Sequence, residues 1–132
     1  MPRPNSPELD LFESGVLARL QGVDSGYGPA TVLVGVDFEA RRGDVSLVTG
    51  PAAAGKTTFT HLLRLTLPVK TGRAVILGHD IARAGARTRA RLKRRIGYVG
   101  ENPVFVEHWT AFENIAMPLR LAGHRPREYA RD

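Results

Sequence analysis

Eight consecutive residues constrain this chain more than any other feature: Gly50-Pro51-Ala52-Ala53-Ala54-Gly55-Lys56-Thr57. They match the pattern G-x-x-x-x-G-K-[ST] in full. The glycines let the backbone wrap closely, so that successive N–H groups converge on an anion. A helix starting at the end of the loop adds unpaired N–H donors and the positive end of its dipole. The lysine of such a loop reaches the β- and γ-phosphates of a nucleotide, and the hydroxyl after it can ligate the Mg²⁺ bridging them. Context matters more than the pattern. An apolar run at 45–49 leads into the loop, and Phe59, Leu62, Leu63 and Thr66 follow at helical spacing. A Gly/Ala-rich turn with a chance lysine would not need both flanks. Gly50, Pro51, Ala52, Ala53, Ala54, Gly55, Lys56, Thr57 and Thr58 are therefore the expected nucleotide-binding residues, with Thr57 also a metal ligand.

At 132 residues the chain fits one small domain or part of a larger one. Its hydrophobic content of 42% with 24% charged residues is globular and argues against disorder throughout. There is no cysteine, which excludes disulfides, Cys-ligated zinc and thiol nucleophiles. No apolar run approaches the roughly 18 residues needed to span a bilayer. The N-terminus lacks the apolar core of a secretory signal, so the expected compartment is the cytoplasm.

Periodicity gives an alternating order of strands and helices. Residues 1–14, with three prolines in the first ten, read as a mobile leader ahead of a single folded region at 15–132. A strand with imperfect alternation runs from Gly15 to Val23, through Val16, Leu17, Leu20 and Val23. A turn cluster at 25–29 follows. The next strand, from Thr31 to Phe38, puts Val32, Val34, Val36 and Phe38 on one face. A tight turn at 41–44 precedes the strand at 45–49. The helix from Thr57 is expected to reach Leu67, stopped by Pro68. Residues 73–78 and 96–99 read as further strands, and the segment from Ala84 to Arg94 as a helix. Thr110 and Glu113 have the spacing of a capping box, opening a helix that runs to Leu121. Its expected buried stripe is Phe112, Ile115, Ala116 and Leu119, with Pro118 kinking or shortening it. Gly123 closes it, and Pro126 starts another helix.

The net charge of +6 is local. Residues 83–95 hold seven basic side chains and no acid, and the rest of the chain is close to neutral. Clustered arginines can bind nucleic-acid phosphates in a salt-dependent way. No aromatic residues interleave them and no other segment adds to the charge, so a solvated basic helix is the favoured reading. No specific nucleic acid is expected as a partner. Contact with anionic lipids is a further use of such a segment.

Beyond the loop, the chain reads Leu33-Val34-Gly35-Val36-Asp37-Phe38 ahead of it and Thr71-Gly72-Arg73-Ala74-Val75-Ile76-Leu77-Gly78 after it. Then come Arg94-Arg95-Ile96-Gly97-Tyr98-Val99-Gly100-Glu101-Asn102 and Phe112-Glu113-Asn114-Ile115-Ala116-Met117-Pro118-Leu119. This succession resembles the N-terminal half of an ABC-type ATP-binding domain, over about residues 16–132. The Arg94-Arg95-Ile96-Gly97 approach and the helix segment 112–123 look most like its cell-division branch, FtsE. The resemblance implies an α/β fold of the P-loop NTPase class in truncated form. It would have an N-terminal antiparallel β portion and part of a helix-covered parallel sheet.

It also implies ATP and Mg²⁺ as ligands, an integral-membrane partner subunit, a second ATP-binding subunit, and a position at the inner face of the cell membrane through that partner. Tyr27 falls where the family places an aromatic that stacks on adenine; ordering a Gly-rich turn is its other use. Glu101 falls where the family has a glutamine that helps hold Mg²⁺ and the attacking water. A carboxylate can ligate Mg²⁺, but it brings a negative charge near the γ-phosphate and lacks the amide donor. Its alternative is a solvated loop residue. Phe105, Val106, Trp109 and Phe112 fall in the region facing the membrane partner, although Phe112 reads better as core. The family's signature motif, catalytic glutamate and switch histidine have no counterpart in these residues. The expectation is ATP binding without turnover and a strand at 45–49 short of pairing partners. A small P-loop kinase is the other enzymatic reading, but no lid or acceptor site is visible.

Overall fold

The computed structural model describes residues 14–101, 104–121 and 123–125. The expected leader, apart from Ser14, and the helix expected from Pro126 lie outside the described residues. The chain divides into two compact units, Met1–Arg89 and Ala90–Asp132.

The first unit is built on a four-stranded antiparallel sheet in the order β2-β1-β3-β4. Its strands are β1 (Val16–Ser25), β2 (Leu33–Arg41), β3 (Val69–Ile76) and β4 (His79–Asp80), and α1 (Lys56–Leu63) lies between β2 and β3 in the chain. The imperfect alternation of β1 has a structural cause. Val16, Ala18 and Leu20 are buried, and then the burial phase slips so that Val23 and Ser25 are buried instead. The pairing register with β2 shifts at the same place, between Leu20 and Val23. A one-residue slip moves side chains to the opposite face. β2 shows the same effect. Gly35 at φ 60 breaks the expected apolar face: Leu33 is buried, while Val34 is 74% exposed. The irregularities leave two amides, and carboxylates from the opposing strand take both. Gly35 N–H donates to Asp24 Oδ1 (2.7 Å) and Gly22 N–H to Asp37 Oδ1 (2.8 Å).

β3 begins earlier than expected, at Val69, because Val69 and Thr71 pair with Ser25 and Asp24 beyond the slip in β1. Helix α1 ends earlier than expected, at Leu63. Leu65 takes a left-handed conformation (φ 63), Thr66 N–H reaches back to His61 O (3.0 Å) and Leu65 N–H to Leu62 O (2.9 Å). That closure is a Schellman motif, and it buries Leu65 and Leu67, which a continued helix would have carried elsewhere. Phe59 on α1 meets Phe38 on β2 edge-on, with centroids 5.0 Å apart.

The segment at 45–49 is not a strand. It forms no ladder among the described residues, and Val45 and Leu47 are almost fully exposed. A strand exists only through its neighbours' hydrogen bonds, and local β propensity cannot replace them.

Helix α2 (Ala86–Lys93) runs across the division between the units. The second unit contains the end of α2 and α3 (Ala111–Leu121), with Pro118 inside the helix. Residues 96–99, expected as a strand, form no ladder among the described residues. The expected stripe on α3 is largely uncovered: Ala116 is buried, but Phe112 and Ile115 are 55% and 74% exposed. The capping box is present. Thr110 N–H donates to Glu113 Oε2 (2.8 Å) and Glu113 N–H to Thr110 Oγ1 (3.2 Å).

Candidate functional site

The loop expected to bind phosphate wraps as its glycines allow. Gly50 has φ 156, Ala53 is left-handed at φ 62, and Gly55 at φ 88, ψ 10 is the N-cap of α1. A left-handed alanine is strained, and such strain concentrates at functional sites. Gly55 has a second reason to be glycine: a Cβ there would lie 3.0 Å from Leu33 Cδ2. The loop thus rests directly on the start of β2.

No side chain caps α1, and no acidic residue lies in its first turn. Its first helical bond runs from Phe59 N–H to Gly55 O (2.8 Å), so the N–H groups of Lys56, Thr57 and Thr58 precede the ladder. These three residues, with Val32, Ala53, Ala54 and Gly55, line a cavity of about 170 Å³. Lys56 is half-buried, and its ammonium donates to the loop's own carbonyls, Gly50 O at 2.8 Å and Pro51 O at 2.7 Å. Thr57 is exposed, whereas Thr58 is buried. A site of this form presents amide donors, a helix N-terminus and one cation to an anion of phosphate size.

Of the residues expected at the site, Ala53 to Thr58 line this cavity, and Gly50 and Pro51 hold the Lys56 ammonium through their carbonyls. Tyr27 belongs to the same unit, on the turn between β1 and β2. Its hydroxyl lies 2.9 Å from Nδ1 of His61 on α1. His61 is not among the expected site residues, and its position five residues after Lys56 is the signal that could have marked it. Glu101 is exposed and belongs to the second unit. Among the described residues no three His, Asp or Glu side chains gather as a metal cage. The basic segment is partly structural. Arg89 donates to Ile81 O (2.7 Å) and Ala84 O (3.2 Å), and Arg83 lies 3.9 Å from Asp80.

In the second unit, Asn114 staples the segment before α3. Its Oδ1 accepts Val106 N–H (2.8 Å), and its Nδ2 donates to Val106 O (3.2 Å) and Thr110 O (3.0 Å). Phe105, Trp109 and Phe112 are all at least 40% exposed beside it. Among the described residues no helix is long and apolar enough to cross a membrane.

Loop and helix have the form of a P-loop on an α/β fold. The profile of the ABC transporter family matches residues 33–132, and the chain belongs to that family. An uncharacterised ABC transporter ATP-binding protein of Thermotoga maritima is 34% identical over 110 residues, covering 82% of this chain and 47% of the relative. The lipoprotein-releasing system ATP-binding protein LolD of Bacteroides fragilis is 30% identical, covering 81% and 50%. The phosphonates import ATP-binding protein PhnC of Anaeromyxobacter dehalogenans is 35% identical, covering 76% of this chain and 20% of the relative. A solved nucleotide-free ATP-binding cassette from an ABC transporter aligns with TM-score 0.46 and 28% identity, over 52% of this chain and 27% of that one. The chain spans about half the length of the first and second of these relatives and a fifth of the third.

Proposed function

We propose that residues 50–58 bind the phosphates of MgATP and that the chain is the nucleotide-engaging part of an ATP-binding subunit in a membrane transport complex. The observation that carries this reading is Lys56. Its ammonium is held within its own loop, and three N–H groups at the start of the same helix precede the helical ladder. A phosphate entering the cavity takes those amides, and Lys56 exchanges carbonyl partners for phosphate oxygens, a stronger charge-assisted contact.

The residues fit magnesium as well. This ion prefers one or two protein ligands plus phosphates and water over an all-protein cage. The exposed Thr57 hydroxyl would supply one ligand, with phosphate oxygens and water as the others. The ion's contribution is to neutralise charge on the bridged phosphates. Tyr27, half exposed, is the residue for the adenine face.

The relatives named for lipoprotein release and phosphonate import support a transport complex. The cell-division branch rests on the 94–97 and 112–123 segments alone. In this reading, exposed Phe105, Trp109 and Phe112 face an integral-membrane partner at the inner face of the cell membrane, and a second ATP-binding subunit completes the nucleotide site.

Calorimetry with ATP and adenosine tests the assignment. MgATP should bind the parent chain, and Lys56→Ala should weaken it strongly while leaving adenosine unchanged. Equal MgATP affinity in parent and variant refutes the loop as the site.

A further inference from the structure

The phosphate loop accounts for Lys56, Thr57 and Thr58, but not for the contact made further along the same helix. Tyr27 and His61 meet edge-on, with ring centroids 6.4 Å apart and planes at 80°, and their polar atoms are 2.9 Å apart. Tyr27 is 46% exposed. Its phenol could therefore bond water at little net cost, so burial does not explain the partner.

Both ends of the contact are held. On the Tyr27 side the turn is closed tightly: a Cβ on Gly26 would lie 2.2 Å from Ala30 O. Ala30 N–H donates to Tyr27 O (3.0 Å), and Lys70 Nζ donates to Ala30 O (2.7 Å). On the other side, the carbonyl of His61 accepts both Thr66 N–H (3.0 Å) and Thr66 Oγ1 (2.8 Å) in the closure that ends α1. The tyrosine is thus tethered at its backbone and at its tip, with ring surface left exposed.

The tethered turn is continuous with the phosphate loop. Val32, whose N–H donates to Ser25 O (2.9 Å) to close the same turn, lines the cavity with Ala53 to Thr58. His61 lies five residues beyond Lys56, roughly 7.5 Å along the helix axis. A base joined through ribose to phosphates in that cavity is within reach of such an interval.

We propose that His61 is a positioning residue of the nucleotide site: Nδ1 accepts the Tyr27 hydroxyl and holds the ring as a preset platform for a purine face. The inference rests on the proposed nucleotide reading of the loop and Tyr27, and deepens it. A ring free to rotate loses that freedom when a base stacks on it, at a cost in affinity; a ring already held does not.

The test uses the full 132-residue chain, with MgATP and inorganic triphosphate as probes, and thermal melting to check folding. Tyr27→Phe keeps the ring and removes the hydroxyl. His61→Phe removes the acceptor. Each should weaken MgATP by about three- to tenfold, and the double variant should be no weaker than either, because one bond is lost in all three. His61→Gln restores an acceptor and should recover part of the loss. Triphosphate affinity should be the same throughout. Parental MgATP affinity in both single variants overturns the proposal. Parallel loss of triphosphate affinity also overturns it, since the substitutions would then act on the loop itself. Failure of the parent chain to bind triphosphate refutes the phosphate-loop reading, and the positioning role with it.

Discussion

The ammonium of Lys56 lies 2.8 Å from the carbonyl oxygen of Gly50, the residue that opens the loop Lys56 closes. The lysine thus bridges its own loop while the helix N-terminus beside it stays without an acidic side chain in its first turn. Lys56→Ala removes this cation from the proposed phosphate contacts. A hydrogen bond to a charged group contributes about 1.5–3 kcal/mol, so MgATP affinity should fall roughly tenfold to a hundredfold or more. Titration calorimetry checks it, with adenosine as the control that should not change.

Gly55 is constrained twice, by φ 88 and by Leu33 at 3.0 Å from where a Cβ would be. Gly55→Ala should destabilise the chain by about 1–3 kcal/mol and displace the loop from β2. A lower denaturant midpoint with an unchanged slope is the expected result. A midpoint equal to the parent's would mean that neither the strain nor the contact with Leu33 matters.

Asn114 holds the Val106 peptide through both its amide N–H and its carbonyl. Asn114→Ala should free the 106–110 segment, with a cost of about 1–3 kcal/mol to local opening. Hydrogen exchange at the Val106 amide reads this directly: protection should drop there and persist in β1. Unchanged protection at Val106 would contradict the stapling role.

Among the described residues, Glu113, Asp24 and Glu39 titrate below the ordinary carboxylate range. Backbone and side-chain hydrogen bonds from Thr110 lower Glu113. The Gly35 amide, then Thr71, lower Asp24, and the hydrogen bond from Arg19 is the main cause at Glu39. A carboxylate depressed in the folded state stabilises it above the unfolded pKa, and that contribution is lost as pH falls through the folded one. The thermal midpoint should therefore decline as acid is added below the ordinary carboxylate range. Glu113→Gln should reduce that dependence for α3, followed by far-UV circular dichroism against pH. An identical acid profile in the variant would show that the capping carboxylate does not contribute.

The local chemistry of this chain was legible in its residue order. The phosphate loop, the helix after it and the Thr110–Glu113 capping box each depend on groups within a few positions of one another, so spacing alone specifies them. The tight turn at 41–44 is of the same kind: Arg41 N–H meets Asp44 Oδ2 at 2.9 Å. What tertiary structure decided was pairing and phase. The slip between Leu20 and Val23 and the break at Gly35 depend on which strand lies opposite; they leave Val34 exposed while Val36 and Phe38, expected on the same face, are half-buried. Residues 45–49 have the composition of a strand, but without a ladder among the described residues they do not form one. Helix α1 stopped at Leu63 because burying Leu65 and Leu67 favoured a left-handed turn over further helical bonds. The meeting of Tyr27 with His61 has the same origin. Thirty-four residues separate them, and only the antiparallel sheet and the helix beside it bring the two rings together, a non-local contact that no window of sequence contains.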